Sequence, residues 1–511
     1  MTVKWKPSVI WLTLNEAMRR SRTMAEKPNI LLIFPDQHRG DVMGCAGSPV
    51  AKTANLDRLA EEGVSFTRCC TNSPLCMPAR ASLMSGQYVN EHGVWNNAVS
   101  ANRHGPSHVR NIRDAGYHTA IIGKTHLYVH GGAIDTRKHV HELNDWGFTD
   151  IHELTGPRAS ANVDSPYTEY LAERGLLDTH REYMHKYNKE MREGKLRPWD
   201  EPPTPLPAQH HLDSYTGQTA VNWIRNYSED KPFYLQLLFP GPHDPFDSPT
   251  EYRAMYRPED MPVGIMDRPT EPIPPYVDFV LRWSGLDGMT EKQKQIMRVH
   301  YYAKVTLIDD AIGRVLRALE ERGLMDNTWI IYTSDHGEML GDHFMSHKIV
   351  FYEGALNIPC IIRPPGGIKG WKSSALIDQI DVATSLIDIA GAKPLTGSDG
   401  RSLVPQVKAG PDGPQAQQGK EAIFSEVFGF SMVRTERYKM AVDSRTRQPV
   451  ELYDMVEDPN ELRNLVEDPS MDKLRRELLE QYISRLLSRL DEEKLKLHEE
   501  TQAARLRGRI G

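Results

Sequence analysis

Cysteine is scarce in this chain of 511 residues, and its cysteines show no pairing pattern. The five are Cys45, Cys69, Cys70, Cys76 and Cys360, with no C-x-x-C pair among them. An odd number of cysteines without regular spacing excludes the disulfide framework that small secreted proteins use. This usage is typical of a reducing compartment, so we expect a cytoplasmic protein.

Long apolar runs and long basic runs are missing as well. The longest apolar run near the start covers residues 9–14, which is too short for a signal peptide, and no stretch reaches the roughly 20 apolar residues of a membrane span. The net charge is -7, and no long run of lysines and arginines offers a surface for nucleic acid. We therefore expect neither a membrane nor a nucleic acid as a partner.

The composition itself, 39% hydrophobic and 26% charged, is that of a soluble globular protein. The length exceeds what one hydrophobic core usually serves, so we predict more than one unit. These are an N-terminal extension at residues 1–28, a large α/β domain at 29–405 and a smaller subdomain at 420–511. Met24 lies just before the first predicted strand and is a candidate native start.

Apolar runs of strand length alternate with segments of helical spacing along most of the chain. This rhythm predicts an α/β fold in which helices sandwich a large mixed sheet. We interpret residues 130–211 as loop and lid material, and residues 405–419 as a linker or exposed loop. The predicted strands are 29–34, 64–68, 119–122, 233–239 and 329–333; the predicted helices are 53–63, 109–115, 213–226 and 293–322.

The last hundred residues change character. Short strands at 422–427, 431–435, 438–442 and 451–453 predict a small antiparallel sheet, and residues 471–507 predict one long charged helix. An apolar stripe on this helix, centred on Leu478, Tyr482 and Leu486, fits core packing against the sheet or a contact between subunits. Both alternatives stay open, and we expect a homo-oligomer.

Polar side chains follow the predicted strands where each one ends. Asp36 and Gln37 come after the first strand, and Asp335 and His336 come after the strand at 329–333. Open α/β sheets place their sites at the carboxyl ends of strands. Carboxylate and imidazole groups together can bind one metal ion. A second set of such residues, all cationic or imidazole, is Lys124, His126, His243 and Lys348.

The central motif is C-x-P-x-R, formed by Cys76, Pro78 and Arg80. If a helix starts at the proline, the arginine returns to the side of the thiol. A nucleophile, a helix N-terminus and a fixed cation suit an anionic, tetrahedral substrate. An isolated cysteine is more often a small buried core residue, but the surrounding pattern outweighs that alternative.

The extended pattern, C-x-P-x-R followed by Leu83 and Gly86, resembles the sulfatase signature of the alkaline phosphatase superfamily. The resemblance runs from about residue 29 to about residue 465, and four motifs occur in the family's order. It implies an alkaline-phosphatase-like fold and the oxidation of Cys76 to formylglycine by a formylglycine-generating enzyme. It also implies one divalent metal, with Mn²⁺ favoured over Ca²⁺ because one ligand is a histidine. The implied ligands are Asp36, Gln37, Cys76, Asp335 and His336.

The same resemblance implies roles for the remaining site residues. Arg80 and Lys124 would stabilise the nucleophile and the developing charge. Either His243 or Lys348 would protonate the leaving oxygen, and His126 would accept a proton when sulfate is expelled. Asn97 matches an amide on the substrate or metal side of the family's site.

We therefore expect a sulfuric ester hydrolase, similar to arylsulfatases, that acts on a small-molecule sulfate ester. The first alternative is a phosphonate monoester or phosphodiester hydrolase, because relatives with that activity share the Asp-Gln and Asp-His motifs. Those relatives are expected to have tyrosine and threonine where this chain has Lys124 and His126. The second alternative is a non-catalytic metal-binding scaffold, which should have lost Cys76, Arg80 or a metal ligand; none is missing.

Overall fold

The computed structural model describes residues 27–130 and 134–508, with side chains described as far as residue 501. Most of the predicted N-terminal extension, including the candidate start at Met24, therefore lies outside the described residues. Within the described residues, no helix has both the length and the apolar character needed to cross a membrane.

Thirteen strands form two sheets in the described part of the chain. The five strands predicted from the sequence are all present, and the mostly apolar ones fit strands that are buried on both faces of a sheet. The strands are β1 Asn29–Ile33, β2 Val64–Cys70, β3 His118–Gly123, β4 Asp150–Glu153, β5 Phe233–Leu238, β6 Thr328–Thr333, β7 Asn357–Ile358, β8 Cys360–Arg363, β9 Trp371–Asp378, β10 Ile423–Val427, β11 Phe430–Arg434, β12 Tyr438–Asp443 and β13 Pro449–Asp454.

The large sheet has nine strands in the order β4-β3-β5-β1-β6-β8-β2-β7, with β9 also paired to β2. Strands β4, β3, β5, β1 and β6 run parallel to their neighbours. Strand β8 is antiparallel to both β6 and β2, so β2 runs in the same direction as β1 and β6. The sheet is therefore mixed, as predicted, and the carboxyl ends of β1, β2, β3, β5 and β6 share one edge.

Helices cover both faces of this sheet. Consecutive residues of β1 point to opposite faces, so Ile30 and Leu32 lie in one buried cluster and Leu31 and Ile33 in another. The helices are α1 Ala54–Glu61, α2 Cys76–Ser85, α3 Val89–His92, α4 His108–Asp114, α5 Val140–Trp146, α6 Pro166–Ala172, α7 Leu177–Arg192, α8 Leu212–Asn226, α9 Thr250–Arg253, α10 Pro275–Ser284, α11 Glu291–Glu321, α12 Glu353–Leu356, α13 Gln379–Ala390, α14 Val404–Ala409, α15 Asp472–Leu478, α16 Ser484–Leu487 and α17 Glu492–Gly508.

The first core layer contains residues of α2, α4, α5 and α13, and the second contains residues of α1, α8 and α11. The sandwich of helices around a mixed sheet confirms the predicted fold class. The 31-residue α11 begins at a capping box in which the Thr290 hydroxyl accepts from the backbone N–H of Gln293.

The segment 130–211 differs from the prediction. It was expected to be loop, but it contains strand β4 and helices α5, α6 and α7. Helix α7 buries only His180, Met184 and Tyr187 of its 16 residues, and this narrow stripe lies among mostly polar and charged residues. Strand β4 has one apolar residue, Ile151, in four.

The C-terminal region contains the predicted antiparallel sheet, in the order β10-β11-β12-β13. The two sheets fall on either side of the predicted boundary at residues 405–420, and that boundary stays a prediction. Part of the expected linker is the short helix α14.

The predicted C-terminal helix is not continuous. Helix α15 passes through a π-helical turn, Leu479–Ile483, into α16, and residues 488–491 separate α16 from α17. Leu478, Ile483 and Leu487 are buried against the small sheet. The apolar stripe is therefore core packing within the chain and gives no argument for a subunit contact.

Candidate active site

The predicted site residues lie together at the edge where the parallel strands end. Asp36 follows β1, Lys124 follows β3, His243 follows β5 and Asp335 follows β6. Cys76 follows β2 after a short loop and begins helix α2. A parallel sheet brings these carboxyl ends to one place although the residues are far apart in the chain.

Cys76 is held at the first turn of α2. The preceding residue, Leu75, has extended backbone angles (φ -157, ψ 139), and the helix begins at Cys76 itself. The prediction placed the start at Pro78, two residues later. The predicted consequence holds, because Arg80 lies one turn along the same helix face. The thiol is 1% exposed.

Four ligand-bearing side chains surround one point. Atoms of Asp36, Cys76, Asp335 and His336 all lie within 4.8 Å of one another, and all four residues are buried. The Cys76 Sγ lies 3.2 Å from His336 Nε2 and 3.7 Å from Asp36 Oδ1. Two carboxylates, one imidazole and a group at position 76 form a donor set that fits a divalent cation such as Mn²⁺.

Hydrogen bonds from neighbouring groups orient two of these four side chains. The backbone N–H groups of Gln37 and His336 donate to Asp335 Oδ1 over 2.8 and 2.9 Å. Nδ1 of His336 lies 2.9 Å from the Gly337 carbonyl oxygen, which assigns the proton to Nδ1 and leaves the Nε2 lone pair facing Cys76. The ring and one carboxylate thus have fixed orientations. The types of these side chains and their orientation therefore fit the divalent ion that the resemblance implies.

Cations surround the two aspartates. Arg80 reaches Asp36 over 3.0 Å and Asp335 over 2.9 Å, and Lys124 Nζ lies 2.5 Å from Asp36. Burial opposes ionisation of Asp36, but Lys124 and then Arg80 hold the pKa of its carboxyl well below the usual value. The Asp36 carboxylate is therefore held in the ionised form, the form that can bind a cation.

Gln37 links a second pair of charges. Its backbone is in the left-handed region (φ 72), its amide donates to the Glu338 carboxylate, and its carbonyl oxygen accepts from Lys348 Nζ. Burial disfavours charge on Lys348, yet Cys76, Asp36 and Asp244 raise the pKa of its amine above the usual value. The structure brings Gln37 and Lys348 to the site as predicted.

Glu338 is a site residue that the prediction missed. Its Oε1 accepts from the backbone N–H groups of Leu340 and His347, and its Oε2 accepts from Gln37. It belongs to the S-D-H-G-E motif, so its position in that motif was the available indication. Because a carboxylate only accepts, it fixes the Gln37 amide with its NH2 group towards Glu338 and its carbonyl oxygen towards Lys348.

His126 and His243 flank the same edge. Burial, and then Lys124 and His130, hold the pKa of His126 well below 6.5, so its ring is neutral. Its Nδ1 has no hydrogen-bond partner among the described residues. The His243 backbone N–H donates to the Asp36 carbonyl oxygen, and its Nδ1 lies 3.1 Å from Asp244 Oδ1. With Nδ1 engaged, Nε2 is the nitrogen that can meet a ligand.

Asn97 contacts the start of α2. Its Oδ1 accepts from the backbone N–H of Met77 over 3.0 Å, so it satisfies one of the unpaired amides of the first helical turn. This contact places Asn97 next to the Cys76 position. Its predicted contact with substrate stays a prediction.

The fold and this site define a hydrolase of the alkaline phosphatase superfamily. The sequence profile described as "Sulfatase" matches residues 28–392, and that of "N-sulphoglucosamine sulphohydrolase, C-terminal" matches residues 341–487. The chain belongs to the sulfatase family.

Two relatives cover most of the chain. An arylsulfatase of Clostridium perfringens is 30% identical over 410 residues, which are 74% of this chain and 78% of that protein. A multifunctional alkaline phosphatase superfamily protein, PehA, of Trinickia caryophylli is 31% identical over 431 residues, 79% of this chain and 81% of that protein.

One solved structure is similar over nearly the whole fold. The phosphonate monoester hydrolase of Agrobacterium radiobacter superposes with a TM-score of 0.74 at 27% identity, covering 91% of this chain and 96% of that chain. The family is thus shown from both sequence and fold, and this neighbour keeps the phosphonate alternative in view.

Proposed function

We propose that this sulfatase hydrolyses small-molecule sulfate esters with formylglycine formed from Cys76 and one divalent metal ion, Mn²⁺ or Ca²⁺. The observation that carries the proposal is the contact between Cys76 and the metal-ligand group, with Arg80 bound to Asp36 and Asp335 from the same helix face. A formylglycine-generating enzyme would be the partner in maturation. The proposed ligands are Asp36, Gln37, Asp335, His336 and the modified residue 76.

The two implied groups would supply chemistry that the unmodified chain lacks. The hydrated aldehyde at position 76 would supply a hydroxyl for in-line attack on sulfur. The metal would lower the pKa of that hydroxyl and offset charge on the sulfuryl oxygens.

The charge balance of the site supports an anionic substrate. The carboxylates of Asp36, Asp335 and Glu338 face the cations of Arg80, Lys124 and Lys348. Three negative and three positive side chains leave the site near neutral, so a divalent cation would give it the net positive charge that a sulfate monoester requires. Arg80 and Lys124 are buried and fixed, which lets them stabilise developing charge without reorganising.

The structure supports a division of proton transfers. Lys348 is protonated, because nearby negative groups raise the pKa of its amine, and it is suited to donate to a leaving oxygen. His243 is the alternative donor, oriented by Asp244 at Nδ1. His126 is neutral, and its Nδ1 has no hydrogen-bond partner in the described part of the chain, so it can accept the proton released when sulfate is expelled.

Phosphonate monoester hydrolysis is the second candidate, because the Agrobacterium hydrolase shares the fold over 91% of this chain. Lys124 and His126 favour sulfate over phosphonate. A cation and a neutral imidazole suit a sulfuryl group that keeps three non-bridging oxygens, whereas the phosphonate has one oxygen replaced by carbon.

The test is a comparison of two substrates on one preparation. The chain is produced with a formylglycine-generating enzyme, and kcat/KM is measured for 4-nitrophenyl sulfate and for 4-nitrophenyl phenylphosphonate. The Cys76→Ala variant gives the background. We expect the sulfate ester to be the better substrate. A higher kcat/KM for the phosphonate would favour the second candidate, and rates equal to the background for both would indicate a non-catalytic scaffold.

A further inference from the structure

We propose that Trp283 and His347 form the wall of a subsite for the alcohol portion of the substrate, and that this subsite selects an aromatic alcohol. The inference rests on the proposed function, since it concerns the group that leaves from sulfur. Trp283, near the end of α10, is 41% exposed, which is unusual for so large an apolar side chain.

The position of Trp283 is fixed relative to the site. Its ring stacks on His347 with centroids 4.4 Å apart and an interplanar angle of 20°. The adjoining Ser284 hydroxyl accepts from the backbone N–H of Ser346 over 3.0 Å. The His347 backbone N–H donates to Glu338, the residue that also holds Gln37. Helix α10 and the loop at residue 347 are therefore joined on both sides of the stack.

The stack lies beside the two candidate donors to the leaving oxygen. Nδ1 of His347 is 3.5 Å from Asp244 Oδ1, and the same oxygen is 3.1 Å from Nδ1 of His243. Lys348 follows His347 directly in the chain. An ester whose leaving oxygen meets His243 or Lys348 thus carries its alcohol portion towards Asp244, His347 and Trp283.

The geometry favours an aromatic ring over a sugar ring. His347 stacks on Trp283, and Phe279 stacks on it as well at 6.2 Å and 26°, so the indole mainly offers edges. An indole edge is positive and attracts the negative face of a substrate ring, whereas sugar stacking uses an open aromatic face.

The carboxylate of Asp244, which lies beside this wall, already has hydrogen-bond partners. Asp244 Oδ1 contacts the two histidines, and its Oδ2 contacts Arg158 and the Tyr187 hydroxyl over 3.4 and 3.5 Å. A carboxylate engaged at both oxygens has little left for sugar hydroxyls. The subsite therefore selects by shape and aromatic contact.

Trp283→Ala tests the subsite with two esters, phenyl sulfate, whose ring keeps a negative face, and glucose 6-sulfate. Each ester is measured as a substrate, or as a competitor if it is not turned over. We expect KM for the aryl ester to rise roughly three- to tenfold with kcat nearly unchanged, which is the range of one aromatic contact. The KM or inhibition constant for glucose 6-sulfate should change less than twofold. Trp283→Phe should recover most of the wild-type affinity for the aryl ester.

Met255→Ala is the matched control, because Met255 is a comparably exposed apolar residue, at 45%, outside these contacts. Equal losses for both esters, no loss for the aryl ester, or a larger loss for the sugar ester would each overturn the subsite. A wild-type enzyme that turns over neither ester above the Cys76→Ala background would instead refute the proposed function, so the two failures are distinguishable.

Discussion

The Cys76 Sγ lies 3.2 Å from Nε2 of His336, although the two residues are 260 positions apart in the chain. One belongs to the C-x-P-x-R motif and the other to the S-D-H-G-E motif. Neither motif forms a site alone, because the nucleophile position and the metal ligands come from different strand ends. The contact joins them into one reaction centre.

Cys76 should be replaced by an aldehyde or its hydrate in active enzyme. Peptide mass analysis of protein from a host with a formylglycine-generating enzyme should show the loss of the thiol. Cys76→Ala should abolish turnover and leave Tm nearly unchanged, because it removes little apolar volume. Cys45→Ala, a change outside the site, should keep full activity. Active enzyme that retains the thiol completely would exclude the formylglycine mechanism.

Glu338→Gln should weaken metal binding. A glutamine at position 338 is uncharged and can donate as well as accept, so it holds the Gln37 amide less firmly than the carboxylate does. Loss of such an orienting contact typically costs about 10- to 100-fold in metal affinity. The Kd for Mn²⁺ is measured by calorimetry on chelator-treated protein. Asp335→Asn, a change in a direct ligand, should weaken binding further, and Glu436→Gln on the exposed surface should not. An unchanged Kd in Glu338→Gln would show that Gln37 is not a ligand.

Lys124→Ala should distinguish sulfate from phosphonate specificity. The Lys124 amine is buried and lies 2.5 Å from Asp36, so it contributes fixed positive charge near the reacting group. Its loss should cost about 2–4 kcal/mol, or roughly one and a half to three decades in kcat/KM, for the sulfate ester. The loss for the phosphonate ester should be smaller.

Lys124→Arg, which keeps the charge, is the control, and metal content is measured in parallel. Equal losses on both esters would make Lys124 a general anion-binding residue. A larger loss on the phosphonate would favour the phosphonate hydrolase.

Glu426 should make the stability of the protein depend on pH. It is buried in β10, where its carboxyl accepts from the backbone N–H of Asn90 and from the Ser431 hydroxyl over 2.8 Å each. Burial raises the pKa of Glu426 from 4.5 to about 7, although these two donors favour the charged form. The unfolded chain therefore loses this proton first as the pH rises. The free energy of unfolding should fall between pH 4.5 and pH 7, by at most roughly 3 kcal/mol from this group.

Glu426→Gln mimics the protonated carboxyl and should remove that loss. The Tm of Glu426→Gln minus the Tm of wild type should be more positive at pH 8 than at pH 5, with all scans at one rate. Glu436→Gln, exposed in the same region, should follow the wild type at both pH values. A constant difference between Glu426→Gln and wild type would show that Glu426 is already charged in the folded protein at pH 5.

The large sheet and the site edge were predictable because their residues carry strong local patterns. Strands β1, β3, β5 and β6 are mostly apolar, and Asp36, Lys124, His243 and Asp335 lie within five residues of their carboxyl ends. Parallel pairing then brings the residues together, whatever the length of chain between them. The sequence therefore indicated which residues to look for at this edge, and in the structure they lie together there, while their roles stay predictions.

The parts that were not predictable depend on tertiary contacts. Helix α7 is mostly polar and is positioned by a few buried residues such as Met184 and Tyr187, so its sequence resembles a loop. Residues 488–491, which separate α16 from α17, contain neither proline nor glycine, so the sequence does not indicate this break. Glu338 and Trp283 act through neighbours distant in sequence, Gln37 and His347, and only the folded chain shows those pairs.

The burial of Cys76 limits the time during which its thiol can be oxidised. The enzyme that we propose to oxidise the thiol needs access to it, and a side chain 1% exposed gives none once the sheet has closed. The sheet is complete only when β6 has paired with β1 and β8, and His336, just after β6, leaves the ribosome 260 residues after Cys76. At the usual rate of synthesis that interval is roughly ten seconds to one minute. Maturation is then a competition between oxidation and folding, and slower translation beyond α2 should raise the share of chains that become active.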